Sequence, residues 1–160
     1  MYTTRVSRHI AAPAPVVYRL LLDPDAVAHW RVPYGMSCEV HAFEAREGGT
    51  FRISLRYGPG GGDGKSEART DTYHGTFIEL VPYERVVEKI EFETPDPRLH
   101  GTMILTTTLA AIEDGTELRI VHEGVPDAVP AADNELGTHM ALDRLAALAE
   151  GRPDPQAGRG

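Results

Sequence analysis

In the segment TFRISLRY, residues 50–57, apolar and charged side chains alternate. Phe51, Ile53 and Leu55 fall on one side and Arg52 and Arg56 on the other. A period of two is that of a strand with one dry face and one wet face. Comparable segments rich in β-branched and aromatic residues run over 4–10, 37–44, 71–81, 84–93, 102–112 and 115–123. Turn chemistry separates them: Gly48-Gly49, Pro82-Tyr83, the Pro-Asp-Pro of 95–97 and Asp114-Gly115. In three places the period lengthens to that of a helix. AAPAP opens one, since proline is tolerated in a first turn, and VVYRLLLD carries it. Asp23 as N-cap and Pro24 at the first helical position begin a second short helix, DAVAHW, which ends near Trp30. From about Asp133 to Glu150, Thr138, Leu142, Leu145 and Ala149 recur at spacings of three and four, the stripe of a long amphipathic helix.

The order is strand, two short helices, six strands, long helix. It predicts an α+β fold: a curved antiparallel sheet of about seven strands wrapped around the C-terminal helix, the only element long enough to cover the apolar face. Where sheet and helix diverge a cavity is expected, and a ligand would sit there.

A chain of 160 residues is expected to form one domain, here 1–150. The closing EGRPDPQAGRG has too few apolar residues to pack, which predicts a flexible tail over 151–160. The net charge of −8 and the lack of a dense Lys/Arg cluster argue against nucleic acid or an anionic membrane as partner. No apolar run approaches membrane-spanning length. A single cysteine, Cys38, excludes an internal disulfide and suits a reducing cytoplasm, the expected location.

One stretch imitates a nucleotide site. PGGGDGKS, residues 59–66, supplies the Gly64-Lys65-Ser66 half of a phosphate loop but sets Pro59 where the first glycine belongs. The adjoining segment, EARTDTYHGTFIELV, has strand composition, whereas a phosphate loop leads into a helix whose amides meet the anion. A long hairpin connection is the better reading.

Five motifs in order resemble the SRPBCC (START-like, helix-grip) superfamily. Within it they are similar to bacterial proteins named after the C-terminal domain of the heat-shock-protein-90 ATPase activator. They are APAPVVYRLLLDPDAVAHW, EAREGGTFRISL, YHGTFIELVPYERVV, GTELRIVHEGVP and ELGTHMALDRLAALAEG, spread over residues 3–150. Two positions depart from the family pattern. Trp30 is followed by Arg31 where relatives carry a second aromatic residue, and the last helix carries Gly137-Thr138 where relatives have Gly-Trp. The resemblance implies the helix-grip fold and three classes of function. They are binding of a small hydrophobic ligand, an aromatase/cyclase-like enzyme using the same cavity, and a chaperone-interacting module.

Direct signs of chemistry are sparse. The seven histidines lack zinc-type spacing, so no metal is expected, and no cofactor either. His122 shares strand parity with Leu118 and Ile120 and should face the helix, as a core-edge side chain or as a polar handle at the pocket. Of Tyr73 and His74 one must face inward; a bulge at Gly75 would decide which. No nucleophile–base motif stands out, and whether the chain is an enzyme stays open. Cys38 is expected to be buried packing, while Glu79, Glu88 and Glu91 are expected on the solvated sheet face. The expected pocket residues are Trp30, Met36, Phe51, His74, Phe92, Met103, His122, Thr138 and Leu142. The expected partner is a small apolar or aromatic molecule, and the expected oligomer, where one forms, is a homodimer.

Overall fold

The computed structural model describes residues 1–58 and 70–156. It contains β1 (Tyr2–Ile10), α1 (Ala14–Leu21), α2 (Pro24–Trp30), β2 (Met36–Phe43), β3 (Thr50–Tyr57), β4 (Thr70–Val81), β5 (Arg85–Phe92), β6 (Met103–Ile112), β7 (Gly115–Val125) and α3 (Ala131–Glu150). A single 3-10 turn, Pro97–Leu99, joins β5 to β6. The seven strands form one antiparallel sheet in the order β1-β7-β6-β5-β4-β3-β2. This is the helix-grip arrangement that the pattern of the chain predicts.

Local chemistry accounts for the boundaries. The Asp23 carboxylate accepts the amides of Asp25 at 2.9 Å and Ala26 at 3.5 Å, and so caps α2 ahead of Pro24. At the other end of the chain Gly151 takes φ 70°, a left-handed cap that only glycine adopts without strain, and stops α3. Residues 59–66 lie outside the described residues. Their flanks, β3 and β4, pair antiparallel from Thr50↔Thr76 to Arg56↔Thr70.

The parity of β4 is now settled. Tyr73, Gly75 and Phe77 face the helices, while His74 faces out. The bulge lies between Phe77 and Glu79, so alternation through Gly75 is undisturbed. Gly75 has another reason to be glycine: a Cβ there would collide with the ring of Phe51 and the carbonyl of Lys89.

The core lies between the sheet and the helices. Phe51, Ile53, Phe77, Leu118, Leu142 and Leu145 are each 0–1% exposed. On the sheet, α3 packs chiefly against β1, with α1 and α2 alongside it. The far strands, β3 to β5, therefore lie beyond the reach of its contact, and a space opens between.

Within the C-terminal segment, the described residues up to 156 make side-chain contacts with the body. Arg144, on the buried side of α3, donates to Asp154 Oδ1 and Oδ2 at 3.1 and 3.0 Å and to Gln156 Oε1 at 2.7 Å. Gln156 Oε1 also accepts the amide of Gly35. Residues 152–156 are thus tied to the body by a charged hydrogen-bond cluster rather than by apolar packing, which composition alone does not reveal. Among the described residues no helix is long and apolar enough to cross a membrane.

Candidate functional site

The space beside α3 is a cavity of about 580 Å³. That volume falls in the range of sites for small organic ligands, roughly 300–1,000 Å³. Its roof is the N-terminal half of α3, where Asn134, Gly137, Thr138 and Ala141 face down. Its floor is Val86, Ile90, Phe92, Met103, Leu105 and Ile120 of β5, β6 and β7. Trp30 to Pro33, the exit from α2, close one end. At the rim stand the Asp96–Arg98 ion pair, 2.8 Å, and the Ala128–Pro130 approach to α3.

The sheet supplies the apolar floor by simple alternation. In β5, Val86, Glu88, Ile90 and Phe92 share the inner face. Glu88 is therefore not a solvated sheet-face residue as expected: it is 3% exposed, inside the cavity wall. What admits a carboxylate there is Arg31. Trp30 is locked by its indole N–H, which donates to the Leu20 carbonyl at 3.0 Å. The next residue ends the helix and turns inward, so that Arg31 Nη1 donates to Glu88 Oε1 at 2.7 Å. The guanidinium carbon also lies 5.6 Å from the ring centres of Phe51 and of Tyr73, a cation–π arrangement on two faces.

Burial by itself lowers the Arg31 pKa, but the Glu88 carboxylate and the neighbouring Tyr73 hydroxyl more than reverse that, so the guanidinium keeps its charge. Burial pushes the Tyr73 phenol up to about 12, with Arg31 acting against the rise. His122 moves the other way. Burial first, and the positive charge of Arg31 second, bring its imidazole down to about 4, so it is neutral at pH 7.

The tautomer of that neutral ring follows from its partners. Thr4 Oγ1 donates to Asn134 Oδ1 at 2.6 Å, which leaves the Asn134 amide N–H to donate to His122 Nδ1 at 3.2 Å. Nδ1 accepts, so the proton resides on Nε2. Nε2 is buried and finds no hydrogen-bond partner among the described residues. The cavity thus combines an apolar wall with a buried ion pair, a buried phenol and an unsatisfied N–H.

Of the nine residues expected at a pocket, Trp30, Phe92, Met103, His122 and Thr138 line this cavity. Phe51 and Leu142 are fully buried behind its wall, Phe51 tilted against Phe77 at 5.0 Å between centroids. Met36 is half-buried on the edge strand β2, opposite Tyr57, one strand outboard of the lining residues Leu55 and Tyr57. His74 is on the outer face, 3.1 Å from Glu93 and 3.5 Å from Glu91, because Tyr73 takes the inward position. Cys38 is half-buried against the core, with its thiol pushed up to about 11 by burial.

Sequence reasoning missed Arg31, Glu88 and Asn134 as cavity residues and left Tyr73 open against His74. Two signals were present. Glu88 shares parity with Phe92, so accepting the one implied the other. Arg31 occupies a position where an aromatic residue was the norm, and a charge in an apolar slot needs a counter-charge.

The outer face holds one arrangement with the distances of a hydrolase triad. Ser54 Oγ is 2.8 Å from His41 Nε2, and His41 Nδ1 is 3.2 Å from Glu39. Yet Ser54 is 3% exposed and its hydroxyl also bonds Thr72 Oγ1 at 2.7 Å, while the Glu39 carboxylate is held by Arg56. A nucleophile needs an approach for its substrate, and this one has none. It is a sheet-face hydrogen-bond network. Among the described residues no group of three or more His, Cys, Asp or Glu could hold a metal ion.

Comparison with known proteins gives one family. The model described as "Activator of Hsp90 ATPase homolog 1-like protein" matches residues 11–150. Protein CV1439 from Chromobacterium violaceum is 37% identical, with a TM-score of 0.83 over 96% of this chain and 100% of that one. A protein from Rhodobacter sphaeroides shares the fold at 24% identity and TM-score 0.75, covering 94% of this chain and 93% of its own. So does an AHSA1-like protein from Aeromonas hydrophila, at 16% identity and TM-score 0.68, covering 93% of this chain and 92% of that one. No curated protein matches.

Proposed function

We propose that this chain, which belongs to the family of activator of Hsp90 ATPase homolog 1-like proteins, binds a small apolar or aromatic molecule in the cavity between its sheet and α3. One observation carries the reading. A space of about 580 Å³ is walled by apolar side chains and holds a few convergent polar groups, the usual composition of a small-molecule site. A well-packed interior leaves few voids larger than a water molecule, so a gap of this size needs an occupant to be useful.

The test is a titration with N-phenyl-1-naphthylamine, a neutral dye that brightens in apolar surroundings. The chain's single tryptophan, Trp30, lines the cavity, so its emission should fall as the dye enters. Thr138→Trp fills the roof and should reduce dye brightening while leaving the fold intact. Brightening that is equal in Thr138→Trp would place the dye elsewhere.

A second reading, an aromatase/cyclase-like enzyme, is favoured by the same buried Arg31, Glu88, Tyr73 and His122. His122→Ala separates the two. A binder loses affinity or selectivity; an enzyme using His122 as acid or base keeps affinity and loses roughly 10²–10⁴-fold in turnover. The family description also names a chaperone ATPase, and co-purification with Hsp90 tests a role as an activator-like module.

A further inference from the structure

The cavity's charged groups specify the head group of its ligand. Arg31 and Glu88 are joined by a single hydrogen bond, Nη1 to Oε1, and among the described residues Glu88 Oε2 accepts none. Both side chains line the cavity, with 14% and 4% of their surfaces exposed. A buried ion pair contributes little net stability, because desolvation offsets its attraction. What it gives the cavity is a donor and an acceptor side by side, with no net charge. His122 is neutral and adds a second donor through Nε2.

Building on the ligand-binding reading, we infer that the site selects a neutral ligand whose edge carries an acceptor next to a donor, as in a carboxamide or a hydroxy-carbonyl. The carbonyl oxygen accepts from Arg31, and the adjacent N–H or O–H donates to Glu88 Oε2. A carboxylate ligand would bond Arg31 but would set a second negative charge against Glu88. A cationic ligand would meet Glu88 but oppose Arg31. Each would bury an uncompensated charge, which is costly in a dry site. The Phe51 and Tyr73 rings lie against the guanidinium, each ring centre 5.6 Å from its central carbon, and restrict the space in which the group can turn.

Four compounds with one ring system isolate the head group: 2-naphthamide, 2-naphthoate, 2-naphthamidine and 2-methylnaphthalene, each displacing N-phenyl-1-naphthylamine at pH 7. The amide should displace the dye at roughly tenfold lower concentration than the carboxylate or the amidinium. Glu88→Gln keeps the shape but leaves Arg31 unbalanced, and the order of amide and carboxylate should invert. If the dye binds but the four compounds compete equally, if naphthoate is best against the native chain, or if Glu88→Gln leaves the order unchanged, the head-group inference is wrong and the apolar cavity stands. If neither the dye nor 2-methylnaphthalene binds, the ligand-binding reading falls and takes the inference with it. The native-chain ranking decides the matter even if the Gln variant does not fold.

Discussion

The two halves of α3 are built for different work. In the C-terminal half Leu142, Leu145 and Ala146 are fully buried, and Ala147 is 2% exposed. Arg144 there donates to the Val32 carbonyl at 3.0 Å and gathers Asp154 and Gln156, and Gly151 caps the end. In the N-terminal half the inward positions are Asn134, Gly137, Thr138 and Ala141: small or polar, half-buried, and facing the cavity. That half begins after Pro130 with no side-chain cap. The periodicity is continuous, but the volume delivered to the interior is not. A helix can keep its stripe in phase and still stand off a sheet if the inward side chains of one half are short.

The sharpest way to break this contrast is to truncate a side chain on the gripping half. Leu145→Ala should cost about 2–5 kcal/mol in a denaturant melt, since it removes a fully buried side chain. Leu136→Ala, 54% exposed on the cavity half, should change stability by no more than about 0.5 kcal/mol, and Leu148→Ala, 43% exposed, should behave like it. Equal effects at Leu145 and Leu136 would erase the distinction.

His122 sharpens the contrast through pH. Its folded pKa of about 4 lies below the ordinary 6.5, so the unfolded chain binds the proton more readily. Stability from this group is fully present above pH 6.5 and is lost as pH falls toward 4, a total of about 3 kcal/mol. Melts at pH 7.5 and 4.5 should show the native chain losing about 2 kcal/mol more than His122→Gln. A ring proton that titrates near 6.5 by NMR would contradict the buried placement.

Removing residues 152–160 should cost about 1–3 kcal/mol, because Arg144 is then left with buried donors that lack partners. An unchanged melting temperature would mean that the Asp154 and Gln156 contacts contribute nothing. The smallest expected change in stability is that of Thr138→Trp, within about 1 kcal/mol and in either direction, because the added ring enters open space rather than a packed core. A loss of several kcal/mol would show the roof to be close-packed.

Much of this was legible in the sequence. Alternation gave all seven strands, because each presents one dry face, and Asp23-Pro24 marked the start of α2 through chemistry local to four residues. Four lining residues, Phe92, Met103, His122 and Thr138, came from parity and helical phase, and Trp30 from its place at the end of the second short helix. What escaped was decided by partners distant in sequence. Glu88 reads as a surface carboxylate until Arg31, 57 positions away, is seen against it. Asp154 and Gln156 read as a polar tail until Arg144 is placed beneath them. His74 was misplaced because Gly75 suggested a bulge, while the bulge lies beyond Phe77 and the glycine serves the ring of Phe51. Apolar periodicity reports which face is dry; it does not report which charges are paired there.

The divided helix and its cavity are tested most directly by a crystal structure of the protein grown with 2-naphthamide. Density for the ring between Thr138 and the Phe92–Met103 floor, with the amide against Arg31 and Glu88, is the predicted result. An empty cavity at saturating ligand, or a roof collapsed onto β5 with no space beside residue 138, would contradict it.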